Sequence, residues 1–465
     1  MNDHSHPKAL LLLAGLILST AAAGQHPFRW QQALTGDYSG LPDQTAVNGP
    51  DFGYSVAISG DWMAVGAPGA ITDEKLGSTH GDGVVFMFQN QGDEWTLVQR
   101  VVFPMVDPNA RCGHSVALSG PHLVIGCPGR SLVYFYQRYP YTYQPWMYKK
   151  LTISVLGTQC GYDVSVARRA LDFAQPAVAI VGCPGASNSA GFARVYIFDG
   201  DSWSTEPSIY STDSSSGDNF GAAVSLHSSC TLFPSPSCLT RLAVGAPHKK
   251  HGDAVLAGSV YVFDGSWTET DIFTLPQPDF LDYAYFGAAV DINRTELLVG
   301  VPGGQTSQAC SDLPRCGQAR HWERSGGSWT FKSSGGAINS GGDPAGEQLG
   351  MRFGNTIALG FDNWIAVGAP YTDGSAGNNV GLVELRRNDN GDWGVGTNDS
   401  RGEIRTTNPR PGQVFANGLF GHSLAFGDDN WLAIGFPRWG TTEGQQGAVW
   451  MYAIPDGIFA DRFEQ

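Results

Sequence analysis

The segment Phe52–Pro68, with the sequence FGYSVAISGDWMAVGAP, indicates the fold of the whole chain. From Phe52 to Ile58 bulky and small residues alternate with a period of two, which is typical of a β-strand and not of a helix. The turn Ser59–Asp61 is short and contains glycine, as a hairpin requires. Pro68 has no N–H to donate to a neighbouring strand, so the second strand should end there. The segment therefore predicts an antiparallel hairpin whose two faces, one bulky and one of small residues, both need cover.

This hairpin recurs seven times along the chain. The copies open at Phe52, Cys112, Cys160, Phe220, Phe286, Phe353 and Phe420. Each copy closes on a Gly-x-Pro tripeptide, and in most copies a third strand follows, as in Gly83–Phe88. A turn, a tryptophan and a fourth short strand then lead to the next copy. Four strands per repeat predict an all-β fold, a seven-bladed β-propeller of four-stranded blades; an open solenoid is the alternative.

The two ends of the repeat region favour a closed ring. The seventh copy stops after its third strand, near Ile454, and Phe28–Leu34 before the first copy has the pattern of a fourth strand without a blade. Pairing this N-terminal strand into the seventh blade would close the ring and remove the exposed sheet edges. A solenoid would not need one end to supply a strand that the other end lacks.

The copies, which open with Phe52-Gly53 and close on Gly66–Pro68, resemble FG-GAP repeats, the units of the integrin α-subunit propeller and of many exported bacterial proteins. The resemblance covers roughly residues 28–454, and it implies a propeller and a role in adhesion. Integrin-type repeats often carry a calcium loop of the form Asp-x-Asp-x-Asp-Gly between the two halves. Turns such as Ser59–Asp61 and Ser119–Pro121 are too short for the six or more oxygen ligands of Ca²⁺. We therefore predict no metal site and no cofactor.

The N-terminus has the pattern of a signal peptide over residues 1–23. A polar start is followed by the apolar run Ala9–Ile17 and by Ala21–Ala23, which fits the small-residue cleavage pattern. The apolar run is short for a bilayer span, and a membrane anchor is the alternative. We expect the propeller to occupy residues 24–455 of a secreted or extracytoplasmic protein, in the periplasm or at the cell surface. The tail, residues 456–465, resembles a short C-terminal signature of some exported proteobacterial proteins; a frayed terminus is the alternative.

The charge balance argues against nucleic acid as a partner. The chain has 43 acidic and 28 basic residues and a net charge of −15. Phosphate binding needs clustered Lys and Arg, which this sequence lacks. The acidity fits solubility instead, and we expect a monomer without a membrane span in the mature chain.

The eight cysteines predict four disulfides, because an even number in an exported chain is typical of a disulfide framework. In the second and third copies, the opening Phe and the closing Ala are both replaced by Cys. These two positions should lie opposite each other in a hairpin, within disulfide reach. The remaining cysteines are close in sequence. The predicted pairs are Cys112–Cys127, Cys160–Cys183, Cys230–Cys238 and Cys310–Cys316.

No motif predicts catalysis. His114 precedes Ser115, and His422 precedes Ser423, but neighbours in a strand point to opposite faces, which is wrong for a nucleophile and its base. A G-x-S-x-G elbow is absent. The loop His248–Asp253 has two histidines at a metal-like spacing, but two lysines separate them, and we expect a solvated loop. We therefore predict no catalytic residues.

An aromatic run in the second repeat is a candidate partner-binding surface. It consists of Tyr139, Tyr141, Tyr143 and Trp146. Exposed aromatic residues anchor interfaces and stack on sugars. The alternative is packing of an outer strand, with Trp146 in the place that Trp203 occupies in the next repeat.

The sequence predicts a non-catalytic interaction or adhesion module that binds a protein or a glycan through its propeller loops. The loops that follow the closing prolines should gather at one end of the ring, which is an argument from the fold alone. Two alternatives remain open: a structural component of the cell surface, and an enzyme with a site at the mouth of the central channel.

Overall fold

The chain folds as a seven-bladed β-propeller in the computed structural model. Each blade is an antiparallel sheet whose first strand lies innermost. In blades 1 to 6 the strands come from one continuous stretch of chain, whereas blade 7 takes its fourth strand from the N-terminal part of the chain. The structure describes residues 29–39, 41, 49–72, 81–92, 94–101, 103, 108–139, 144–169, 176–231, 237–275, 282–303, 317–332, 337–338, 352–361, 363–373, 378–387, 402–405, 417–427, 430–440 and 446–453.

The strands follow the repeat closely. In blade 5 the fourth-strand position is shared by two short strands, Ser328–Phe331 and Ala337–Ile338, which pair with different parts of the third strand, Gln318–Ser325. Blade 1 consists of β2 (Ser55–Ser59), β3 (Trp62–Ala67), β4 (Val84–Asn90) and β5 (Trp95–Val101); blade 2 of β6 (Ser115–Ser119), β7 (His122–Cys127), β8 (Leu132–Arg138) and β9 (Trp146–Ile153); blade 3 of β10 (Val164–Arg168), β11 (Ala177–Cys183), β12 (Phe192–Phe198) and β13 (Trp203–Ile209); blade 4 of β14 (Ala223–Thr231), β15 (Ser237–Ala246), β16 (Ser259–Asp264) and β17 (Thr268–Phe273); blade 5 of β18 (Ala289–Ile292), β19 (Glu296–Val301), β20 (Gln318–Ser325), β21 (Ser328–Phe331) and β22 (Ala337–Ile338); blade 6 of β23 (Thr356–Leu359), β24 (Trp364–Ala369), β25 (Leu382–Arg387) and β26 (Gly402–Arg405); and blade 7 of β27 (Ser423–Phe426), β28 (Trp431–Phe436), β29 (Ala448–Ala453) and β1 (Arg29–Leu34). The one helical segment among these residues, α1 (Ala186–Ser189), is a four-residue turn that includes residues with positive φ.

The N-terminal strand closes the ring, as the sequence predicts. Strand β1 pairs antiparallel with β29, with Ala33 opposite Trp450 and Leu34 opposite Val449. The Gln32 side chain then reaches blade 1, where it accepts from the Trp95 N–H (2.9 Å) and donates to the Trp95 carbonyl (3.1 Å). The first and last parts of the chain therefore join at one blade.

Apolar packing between neighbouring blades holds the ring together. The described residues form seven hydrophobic clusters, one at each interface between blades. At the closing interface, Met63 and Val65 of blade 1 are fully buried with Ala433 and Met451 of blade 7. Both faces of each sheet are thus covered by neighbours, which the two apolar faces of the hairpin require.

The backbones of neighbouring blades come into close contact at the glycine of each closing tripeptide. A Cβ added to Gly245 would overlap with the carbonyl oxygen of Gly287 in the next blade. The same overlap, with the equivalent carbonyl of the next blade, occurs at Gly66, Gly126, Gly182, Gly300, Gly368 and Gly435. Only glycine allows this backbone contact at all seven interfaces.

Three disulfides lie within single blades, at the pairs expected from the sequence. They join Cys112 to Cys127, Cys160 to Cys183 and Cys230 to Cys238. The first two lie at the ends of the β6–β7 and β10–β11 hairpins, with Cα atoms 4.1 and 3.9 Å apart. The predicted pair Cys310–Cys316, the signal peptide and the C-terminal tail lie outside the described residues. Within the described part of the chain, no helix is long and apolar enough to cross a membrane.

Candidate functional site

An identical tight turn opens every blade at one end of the channel. The N–H of Tyr54 donates to the carbonyl of Asp51 (3.1 Å), and the equivalent bond recurs in all seven repeats. Gly53, the third residue of the turn, has a φ of 86°, and the equivalent glycines lie between 83° and 90°. A glycine with positive φ at this position is the signature of a type II turn. The turn explains the Phe-Gly pair of the motif, and it places the residue after the glycine at the channel mouth.

Seven such residues, which we call the mouth ring, surround the opening. They fall into two groups, because four are aromatic rings and the others are alanines and an asparagine. The mouth ring consists of Tyr54, His114, Tyr162, Ala222, Ala288, Asn355 and His422.

The aromatic side of the mouth ring is a connected cluster. The Tyr54 ring centroid lies 5.0 Å from that of His114 and 4.4 Å from that of His422. His114 Nδ1 is 2.9 Å from the Tyr162 carbonyl, and His422 Nδ1 is 3.1 Å from the Tyr54 carbonyl. A carbonyl only accepts, so each Nδ1 carries the proton, and His114 Nε2 accepts from the Tyr54 hydroxyl at 3.3 Å. Each histidine is thereby tied to the next blade.

Burial keeps both histidines of this cluster neutral. Desolvation lowers the pKa of His114 to about 3, with the positive charge of Arg111 acting in the same direction. Desolvation likewise lowers the pKa of His422 to about 4. A neutral, hydrogen-bonded imidazole has a structural role here. Neither histidine is hydrogen-bonded to the serine beside it, because Ser115 donates to Asp163 (2.9 Å) and Ser423 donates to the Gly53 carbonyl (2.8 Å).

On the opposite side, the small residues leave a cleft. Ala222 and Ala288 replace the large rings in blades 4 and 5, and the space in front of them is a cleft of about 580 Å³. Pro184, Pro247 and Pro302, the closing prolines of three successive blades, line it as well. The polar lining residues are Gln159, Tyr162, Asn219, His248, Tyr285, Arg352 and Asn355.

The cleft carries a positive charge, although the net charge of the whole chain is negative. Among the described residues that line it there are one arginine, one histidine and no Asp or Glu, although acids outnumber bases by 15 in the whole chain. Burial lowers the pKa of His248, so Arg352 supplies the charge at neutral pH. The Arg352 guanidinium lies 4.7 Å from the centroid of the Tyr371 ring, which supports its position.

Two carboxylates inside the channel connect blades. Asp163 accepts from Ser115 Oγ of blade 2 and, at 2.7 Å, from the Val224 N–H of blade 4. Asp291 accepts from Ser225 Oγ of blade 4 (2.9 Å) and from the Leu359 N–H of blade 6 (2.7 Å). Desolvation raises the pKa of each carboxyl to about 6. Both groups are engaged in holding the inner strands together.

The aromatic run predicted as a partner-binding surface is divided by the structure. Trp146 is 2% exposed and packs edge-to-face on Trp62, with ring centroids 5.5 Å apart. Its backbone N–H donates to Gln99 Oε1 (2.9 Å), so Trp146 belongs to the contact between blades 1 and 2. Tyr139 is 36% exposed, and Lys149 Nζ lies 5.3 Å from its ring centroid. Tyr141 and Tyr143 lie outside the described residues.

The loop His248–Asp253, expected to be solvated, is in part buried and paired. Lys249 is 6% exposed, and its Nζ is paired with Asp213 and Asp218, each at 3.1 Å. His251 Nε2 lies 2.8 Å from Ser259 Oγ. Sequence reasoning missed these contacts because the acidic partners come from a loop some thirty residues earlier. No group of three or more His, Cys, Asp or Glu side chains is arranged to hold a metal in the part of the chain that the structure describes.

Comparison with known proteins agrees with the repeat. Residues 45–86 match the family model of the FG-GAP repeat. The first blade carries an FG-GAP repeat. The FG-GAP turn and closing tripeptide of that blade recur in the other six. A solved structure named "Structure of Dos1 propeller" is similar over 92% of this chain and 89% of that chain, with 14% identity and a TM-score of 0.44. No curated protein matches the chain.

Proposed function

We propose that this FG-GAP propeller is a secreted or surface-associated, non-catalytic interaction module that binds a protein or a glycan at its channel mouth. The observation that carries the proposal is the cleft at blades 3 to 6. Blades 1 to 3 and blade 7 carry an aromatic ring at the mouth position, whereas Ala222, Ala288 and Asn355 in blades 4 to 6 leave a concave surface. A concave site with a few polar groups on a rigid scaffold is typical of ligand binding.

The surface around the cleft supports the same function. Exposed apolar side chains stand on the loops at this end of blades 3 to 5. Val155 is 76% exposed and Leu156 is 64% exposed, in a turn that is tied to the loop after Pro184 by the bond from the Gly185 N–H to the Thr158 carbonyl. Tyr283 is 46% exposed beside Val255, whose carbonyl accepts from the Tyr283 N–H (2.8 Å). Apolar side chains next to a polar cleft are a common composition for an interface.

Affinity capture tests this function. The chain from Gly24 onward, immobilised with its disulfides intact, is offered a panel of surface proteins and polysaccharides, with and without EDTA. We expect saturable capture of one class that is insensitive to EDTA. Capture that EDTA abolishes would reveal a metal site that this account does not include. Absence of saturable capture would favour the structural role or a transiently bound substrate.

A further inference from the structure

The cleft carries one cation that has no carboxylate partner among the described residues, and that cation is Arg352. Every ion pair described for the chain lies elsewhere. The Arg352 guanidinium stacks on Tyr371, and stacking leaves its N–H edge free to donate. Building on the proposed function, we propose that the cleft binds an acidic saccharide, with Arg352 as the ligand of a uronic acid carboxylate.

The charge distribution favours an anion. An arginine fork donates two parallel hydrogen bonds to a carboxylate, which fixes the orientation as well as the charge of a ligand. Among the residues that the structure describes, the cleft lining offers no acid that would neutralise Arg352. Since the pKa of His248 is lowered by burial, this described lining provides a single positive charge at neutral pH. A ligand with one carboxylate at this position matches that charge.

The other lining residues match the hydroxyl groups of a sugar. Gln159, Asn219 and Asn355 are amides, and each amide both donates and accepts, as a vicinal pair of hydroxyls does. Tyr162 is 39% exposed, and its ring offers a flat surface to the C–H face of a pyranose. Tyr285 also lines the cleft, with its ring centroid 5.6 Å from that of His248. The volume of 580 Å³ falls within the roughly 300–1,000 Å³ of ligand sites.

A peptide fits this site less well than a sugar. Extended peptides bind by adding a strand to an open sheet edge, where unpaired backbone groups are available. At this end of blades 4 and 5 the backbone is already paired. The Phe220 N–H donates to Ala190, the Phe286 N–H donates to Ala257, and the Ala288 N–H donates to Tyr285, all at 3.0 Å. Side-chain amides and rings, rather than backbone groups, are what the cleft offers.

Titration calorimetry tests the proposal with defined probes. The probes are tetrasaccharides of galacturonic, glucuronic, mannuronic and guluronic acid, their methyl esters, and a neutral glucose tetrasaccharide. We expect at least one uronate to bind saturably. Its methyl ester, which keeps the shape and removes the charge, should bind roughly tenfold more weakly or worse, since a charged pair contributes about 1.4 kcal/mol or more.

Arginine variants locate the binding. Arg352→Gln should weaken uronate binding by roughly tenfold or more and leave the melting temperature unchanged. The uronate affinity of Arg352→Lys should lie between that of the wild type and that of Arg352→Gln. The matched control is Arg111→Gln, because Arg111 is also at the mouth but packs on Tyr54 outside the cleft, with its guanidinium carbon 6.0 Å from the ring centroid.

Three results would overturn the acidic saccharide: no uronate binds, the ester or the neutral sugar binds as tightly as the acid, or Arg352→Gln binds like the wild type. These results can be told apart from a failure of the proposed function. If affinity capture finds a protein or a neutral glycan, and the variant Ala222→Tyr with Ala288→Tyr, which fills the cleft, abolishes that capture, the interaction module is supported and only the acidic ligand is wrong.

Discussion

At the residue scale, each repeated glycine of the motif has a physical role. The Gly of the closing tripeptide lets neighbouring blades touch through their backbones, and the Gly after the opening Phe or Cys adopts the positive φ of the opening turn. The residue that follows the turn glycine varies between repeats, and it lies at the channel mouth. Variation at Ala222 and Ala288 therefore changes the channel mouth without changing the packing between the seven blades.

The close contact at the tripeptide glycine predicts a large effect from one methyl group. Gly245→Ala should lower the free energy of unfolding by roughly 3 kcal/mol, since its Cβ would overlap with the Gly287 carbonyl and two blades must separate. The control is Gly252→Asn. Gly252 has a φ of 57°, which Asn tolerates, and nothing lies within 4 Å of its added Cβ. Denaturant unfolding monitored by tryptophan fluorescence measures both variants, and equal losses would contradict the account.

The buried histidines predict a pH dependence of stability. The folded pKa of His422 is about 4, below the unfolded value of about 6.5. Its contribution is fully present above pH 6.5 and is lost as the pH falls towards 4, because the unfolded chain takes up a proton that the folded chain does not. Between pH 7.5 and pH 4.5, the free energy of unfolding of the wild type should therefore fall by roughly 2 kcal/mol relative to that of His422→Gln.

Comparing two proteins isolates this effect. Asp163 and Asp291, with folded pKa values raised to about 6, act in the opposite direction, but they are the same in both proteins. Denaturant unfolding at four pH values supplies the measurement. A difference that stays constant from pH 7.5 to pH 4.5 would show that His422 is not held neutral by burial.

At the scale of elements, the blade was predictable and its irregularities were not. The period-two alternation, the Gly-rich turn and the closing Pro predicted the β2–β3 hairpin, and the unmatched segment before the first repeat predicted the pairing of β1 with β29. The paired substitutions at Cys112 and Cys127 predicted a bridge, since both positions change together. The sequence does not predict the burial of Trp146, because the alternation of a β-strand does not indicate which blade covers which of its faces.

Ring closure through β1 predicts that a separated strand can restore the ring. A chain that starts at Thr35 lacks β1, loses the burial of Leu34, and exposes the edge of β29. Its free energy of unfolding should fall by roughly 3 kcal/mol or more. A synthetic peptide of residues 25–34 should raise the melting temperature again, in a dose-dependent way.

The peptide with Ala33→Pro is the matched control, because Ala33 lies opposite Trp450 and proline removes an N–H from the pairing. Calorimetric scans of the truncated chain with each peptide provide the comparison. If the truncated chain melts like the full chain, or if both peptides act alike, β1 does not close the ring.

At the scale of the whole molecule, sevenfold repetition builds the scaffold and departure from it builds the site. Seven turns, seven glycine contacts and seven core clusters are alike, whereas the mouth ring is aromatic on one side and open on the other. The sequence predicts the propeller because the seven copies of the hairpin can be recognised along the chain. It does not predict the cleft, because Ala222 and Ala288 are ordinary small strand residues on their own. Only alignment of all seven third positions shows that three blades, those with Ala222, Ala288 and Asn355, lack the aromatic side chain that the other four have.

We propose that the propeller binds its partner in this cleft, and a variant that fills the cleft is the decisive test. Ala222→Tyr with Ala288→Tyr gives blades 4 and 5 the side chain that blades 1 and 3 carry at the same position in Tyr54 and Tyr162, so the fold should accept both. In affinity capture the double variant should lose saturable binding while its melting temperature stays within a few degrees of the wild type. Full binding by a folded double variant would contradict the account and place the partner on another surface.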